Sequence, residues 1–163
     1  MAVAALTTAF FSVAAGTTGG TAPGGATAPT GCSLTTPTDL SSYLTQVEAG
    51  QDYATLDTTT FGSGGFTNMV AGLKTGTLNL ALLQDFAASA LNAVLGANGS
   101  VIAVGATGFV EVRPGTGARS ATNPGFICKV INNGWRFLNA SVGGLSVVQW
   151  NVTVTGGYAE LVA

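Results

Sequence analysis

The stretch "LSVVQWNVTVT" alternates without a break: Val148, Trp150, Val152 and Val154 fall on one parity, and Gln149, Asn151, Thr153 and Thr155 on the other. Period two over that length is the spacing of an extended strand with one dry face and one wet face, and it does not suit a helix. "GTLNLAL" repeats the pattern, with Leu78, Leu80 and Leu82 inward and Thr77, Asn79 and Ala81 outward. Two such strands commit the chain to a sheet with a covered side.

Shorter β signals fill most of the remainder. "LTTAFFSV", Leu6 to Val13, reads as a first strand, since it lacks the basic flank of a secretion leader and is too short to span a bilayer. A run through Tyr43, Thr45 and Val47 is a strand ending in a loop at Ala49–Gly50, and "QDYATLDTTTF" is another strand ending at "GSGG". Val110 and Val112 alternate with Glu111 and Arg113, which places the two charges on a wet face. "FICKVINNGWRFL" reads as two strands turning at Asn132–Asn133–Gly134. One segment changes period. Asp85 is placed to cap a helix over about 85–95, with Phe86, Ala90, Leu91, Val94 and Leu95 on one face and Gly96 near its stop. Residues 14–31 hold only Gly, Thr, Ala and Pro, with no large apolar side chain, and read as an inserted loop within a single domain spanning 1–163. The expectation is a mainly β protein, a sandwich or barrel of about eight strands with one short flanking helix.

Composition decides what kind of β protein this is. Charged residues are 7 % of the chain, against roughly 25 % for an average soluble domain. So few charges leave a lone monomer poorly protected against association, so much of the surface is expected to meet protein rather than water. The five bases, Lys74, Arg113, Arg119, Lys129 and Arg136, form no stripe that would hold phosphates.

Catalysis has little to work with. There is no histidine, hence no serine triad and few ways to build a zinc site. "FGSGGF" lacks the Lys-Ser/Thr of a phosphate loop, and Asp52 with Asp57 is a pair without supporting groups. Cys32 and Cys128 have no metal-ligand spacing, and Trp135 and Trp150 read as core or interface rather than as sugar platforms. Neither enzyme activity nor a cofactor is expected.

The order of the segments adds a resemblance. "DTTTFGSGG", then "MVAGLKTGTLNLAL" and "QDF", then "VEVRP", "SATNPGF" and "SVGGLSVVQWNVTVTGG", resembles the major tail tube proteins of siphophages, in particular those of actinobacteriophages. The likeness runs from about Leu34 to Gly157; the 14–31 segment is longer and simpler than the family's connection there. It implies a β-sandwich or barrel subunit in which a Gly-Leu-Lys-x-Gly turn, Gly72 to Gly76, opens the leucine strand. It further implies hexameric rings stacked into a hollow virion tail, assembled in the host cytoplasm. The tube would enclose a tape-measure protein, end on terminator and baseplate proteins, and pass double-stranded DNA along a neutral or acidic wall without binding it or a membrane. The contact between rings is expected in the segment bearing Asp52, Asp57, Phe61, Gly62, Gly64, Gly65, Phe66, Met69 and Lys74, a long Gly-rich loop without a core; residues 14–31 are the second candidate. The alternatives are a virion decoration or head protein, and a secreted carbohydrate-binding or adhesion module.

Overall fold

The computed structural model describes residues 8–15, 34, 36–87, 90–96, 99–136, 138–155 and 158–161. These form one antiparallel sheet of eight strands with a single short helix. In chain order the strands are β1 (Phe10–Ala15), β2 (Thr38–Asp39), β3 (Leu44–Asp57), β4 (Met69–Leu83), β5 (Thr107–Arg113), β6 (Gly125–Gly134), β7 (Val147–Val154) and β8 (Ala159–Leu161). The helix α1 is Leu91–Leu95. Across the sheet the order is β2-β1-β5-β6-β7-β4-β3, and β8 pairs with Gly125–Ile127 of β6, in line with β7.

The sheet is rolled, and the chain itself requires it. β2 and β3 are the two edges of the path, yet only residues 40–43 connect them. A link that short reaches at most ~18 Å, whereas six flat inter-strand gaps would hold the edges ~29 Å apart. Leu40, buried in this link, donates its N–H to the Phe11 carbonyl at 2.9 Å, and the Ser41 hydroxyl accepts from the Phe11 N–H at 2.9 Å. The roll encloses one core: Phe11 and Val13 of β1, Leu78, Leu80 and Leu82 of β4, Val110 and Val112 of β5, Cys128 and Val130 of β6, and Trp150 of β7. The leucine and valine parities anticipated for β4, β5 and β7 therefore all point inward.

Several local expectations are corrected. The first strand starts at Phe10 rather than Leu6 and runs on to Ala15, two residues into the supposed loop; the rest of that loop, and Cys32, lie outside the described residues. Ala49 and Gly50 are not a loop. They lie inside the 14-residue β3, paired with Leu78 and Thr77. Gly72–Gly76 is not a turn either, being the interior of the 15-residue β4. Asn132–Asn133–Gly134 does not divide a hairpin but ends β6 with a register shift against β7. Asn132 is fully buried, and its Nδ2 donates to the carbonyls of Leu95 (3.1 Å) and Ile102 (2.9 Å). It thereby satisfies acceptors that the helix end and the following loop would otherwise leave dry inside the core.

The helix is five residues long rather than eleven. The Asp85 Oδ1 accepts the Ala87 N–H at 2.8 Å in a local turn, so Asp85 caps no helix, and Ala90 takes the N-cap position without a side-chain bond. Ala90, Leu91, Val94 and Leu95 do face the core, but Phe86 is exposed. Glu111 is likewise buried, against expectation, because the loop after β5 folds back over it. Arg119 forks onto its two carboxylate oxygens, Nε to Oε1 and Nη2 to Oε2, both at 2.8 Å. Arg113 lies 3.5 Å from Oε1, with its guanidinium 3.7 Å over the Phe10 ring. Asn123 holds that loop shut by accepting from Gly115 N–H and donating to the carbonyls of Gly115, Gly117 and Ala118.

Candidate assembly interface

The segment expected to be a structureless contact loop is mostly a two-stranded arm. β3 and β4 stay in register from Gln46 opposite Ala81 to Tyr53 opposite Lys74, and again from Thr55 opposite Ala71 to Asp57 opposite Met69. The shift between them puts one extra residue on β4 beside Gly72 and Leu73, a bulge that twists the ribbon. β7 pairs only with Leu80–Leu83 of β4. From Gln51 and Gly76 outward, β3 and β4 thus have only each other within the described sheet. About seven residues of each strand project this way, on the order of 20 Å.

The base of the arm is held. The Tyr158 hydroxyl donates to the Thr77 carbonyl at 2.6 Å, and Gln51 Nε2 donates to the Tyr158 carbonyl at 3.3 Å. Gly76 sits where a Cβ would come within 2.7 Å of Val154 Cγ1, so glycine there permits the close approach of β7's end. The tip is tied as well. Thr58 N–H donates to the Asn68 carbonyl at 2.8 Å, and Asn68 N–H donates to the Thr59 hydroxyl at 3.0 Å. Asp57 Oδ1 accepts from the Thr59 N–H and hydroxyl, and those bonds hold its carboxyl below the usual aspartate range. Gly64 and Gly65 take positive φ of 62° and 84°, conformations that glycine adopts without strain and that turn the chain at the tip. No basic residue lies between Thr58 and Asn68, so the loop offers a phosphate no charged partner.

The side chains on this arm are the wrong ones for solvent. Tyr53 and Met69 are more than half exposed on one face; Leu56 and Val70, directly paired, are about half exposed on the other. Leu73 flanks the bulge at 83 % exposure, and Phe61 and Phe66 at the tip reach 114 % and 78 %. Lys74 Nζ lies 4.9 Å over the Tyr53 ring, the arm's one charge–ring contact among the described residues. Covering a single such apolar side chain is worth roughly 1.5–3 kcal/mol. A free two-stranded ribbon is marginal in water, and this one leaves large apolar side chains uncovered on both faces.

The structure thus brings Asp57, Phe61, Gly62, Gly64, Gly65, Phe66 and Met69 together at or beside the tip, with Asp52 and Lys74 near the base of the arm. Asp52 and Asp57 stand five residues apart on one strand with separate surroundings and make no carboxylate pair. Trp150 is buried, and Trp135 is half-buried with its Nε1 donating to Asn92 Oδ1 at 3.0 Å, so neither is a sugar-stacking platform.

Two further surfaces escaped the sequence. The outer face of β3, β4 and β7 carries Gln46, Glu48, Asn79, Gln149 and Asn151, which with Arg136 border a shallow groove of about 460 Å³. Asn79 Nδ2 donates to Glu48 Oε2 at 3.1 Å. This surface is polar yet nearly balanced, one acid against one base. At the end of the barrel away from the arm tip, Phe86, Leu138, Val142 and Leu145 are exposed. The strand parity of β7 does not reach Leu138, Val142 and Leu145, and Phe86 was read as part of a helix face.

Among the described residues no helix is long and apolar enough to cross a membrane, and no group of three or more acidic or cysteine side chains could hold a metal. No family model and no curated protein matches the chain.

Proposed function

We propose that this chain is a structural subunit that polymerises, and that its assembled form is a tube of stacked rings of the siphophage tail type. The observation that carries the reading is the β3–β4 arm, apolar on both faces and, among the described residues, unpaired along both outer strand edges beyond Gln51 and Gly76. An exposed edge of this length invites aggregation unless an ordered neighbour takes it up. The 7 % charge content and the ordered segments from Asp57 to Gly157 that resemble tail tube proteins support the same reading.

In such a tube the subunits would close six to a ring and the arm would cross to the neighbouring ring. The polar face around Glu48, Asn79 and Gln149 suits the lumen wall, because alternating amides with one Glu48 and one Arg136 per subunit offer passing phosphates no basic track. The tape-measure, terminator and baseplate proteins are the partners that this placement implies, and the virion tail is the location. Electron microscopy of the purified chain tests it: stacked rings with an open lumen are expected. Particles that place the protein on a capsid shell, or a chain that stays monomeric at high concentration, would contradict the reading.

A further inference from the structure

The arm tip and the far end of the barrel are opposite poles of the same strand. β4 starts at Met69 beside the tip and ends at Leu83, a run of about 45 Å at strand rise. At Leu83 the chain meets the start of β7, and three hydrogen bonds gather the far pole. Gln84 N–H donates to the Ser146 carbonyl (2.9 Å), Asn139 Nδ2 to the Val147 carbonyl (3.1 Å), and the Ser146 hydroxyl to the Asn139 carbonyl (3.3 Å). They fold residues 138–146 into a compact loop crowned by Val142, which is 109 % exposed, with Phe86 and Leu145 at its foot.

The two poles match in chemistry. No charged residue occurs from Thr58 to Asn68 or from Leu138 to Ser146, so these two segments bring no ion of their own into the contact, and Asp57 and Asp85 stand at its margins. Each displays isolated large apolar side chains, the rings of Phe61 and Phe66 at one pole and the aliphatic Val142, Leu138 and Leu145 at the other. The ~45 Å length of β4 holds a molecule's own tip far from its own pole. A second copy, oriented the same way, can do it. Unlike patches joined head to tail leave a free tip and a free pole after every addition, so the contact propagates.

We infer that the Phe61–Phe66 tip of one copy docks on the Phe86/Leu138/Val142/Leu145 pole of a second copy, and that this heterologous contact is the step that elongates the assembly. The inference rests on the self-assembly reading above and names the receptor for the arm.

The test uses full-length Phe61→Asp and Val142→Asp, two changes at fully exposed positions whose folding is checked by circular dichroism and thermal melting. Measured by mass photometry, each variant alone should remain at one unelongated size, because one of its two poles is blocked. An equal mixture should double that size and stop there, since the intact tip of Val142→Asp meets the intact pole of Phe61→Asp and no further site remains. Val142→Asp elongating by itself would mean that tips pair with tips or with another surface, and would overturn the inference. So would a mixture that shows no doubling. If the wild-type chain still forms stacked rings in those cases, the tube reading stands without this contact. If the mixture doubles while the wild type forms an open filament without rings, this contact stands and the tube reading falls.

Discussion

The ring centroids of Phe11 on β1 and Trp150 on β7 lie 6.2 Å apart with their planes at 61°. β5 and β6 separate those strands in the sheet, a lateral distance of ~14 Å if the sheet were flat. The edge-on contact therefore exists only because the sheet rolls, and it pins the roll from inside. Truncating either ring to alanine should cost ~3–5 kcal/mol, read by urea unfolding. The double variant should fall short of the sum by ~0.5–1.5 kcal/mol, the coupling of an aromatic pair in contact. Strict additivity would show that the roll does not depend on this contact.

Asn132 holds the helix end to the barrel. Asn132→Leu keeps the branched shape and removes the side-chain donor to the Leu95 and Ile102 carbonyls, leaving two acceptors dry in the core. A loss of ~2–4 kcal/mol is expected, with earlier hydrogen exchange in residues 91–102 than in β5. An unchanged midpoint would mean that those carbonyls have other partners.

The Glu111–Arg119 fork predicts an asymmetry between its two ends. Glu111 is the buried member, with 5 % of its side chain exposed against 27 % for Arg119. Arg119→Ala strands a carboxylate in the sheet and should cost ~3 kcal/mol, the low end for a broken buried pair because Arg113 remains nearby. Glu111→Leu frees Arg119 toward solvent and should cost less. Denaturant midpoints of the two variants check the order, and the reverse order would contradict the burial described.

Alkaline pH should weaken the fold through two neighbouring groups. Burial pushes the Cys128 thiol up to about 12, and burial together with Cys128 pushes the Tyr158 hydroxyl up as well. A thiol that ionises more readily unfolded than folded contributes stability fully present below its unfolded pKa, roughly 8.5–9, and lost as pH rises toward 12. The full loss from Cys128 is on the order of 4 kcal/mol at that shift. The melting temperature should fall from about pH 9 upward, and Cys128→Val should flatten part of the fall. A flat profile in the wild type would show the thiol to be exposed.

How much of this was legible follows from what each residue reports. Val148 to Val154 and Leu78 to Leu82 were readable because one face of each strand is dry and the other wet, so parity is written in hydrophobicity. Glu111 broke parity because the loop after β5 supplies Arg119 from eight residues further along the chain, a partner invisible to alternation. The glycines misled in a consistent way. Gly50, Gly72 and Gly76 read as loop or turn but mark close approaches and a bulge within long strands, where a side chain would strike Thr77, Ala54 or Val154. Asn132 read as turn chemistry because its side chain seeks backbone partners; it finds them in the helix end rather than in its own turn. The segment expected to be a contact loop is a strand pair, a form the sequence hid, since an arm exposed on both faces has no parity to display.

In the proposed assembly the arm is covered by other copies of the chain. Hydrogen exchange of the amides at 51–57 and 69–75, followed as protein concentration is raised through the onset of particle formation, tests it without any mutation. These amides should exchange fast at low concentration and slow by at least tenfold as particles form, while β5 and β6 stay unchanged. Arm amides that exchange at the same rate in particles as in dilute solution would contradict it.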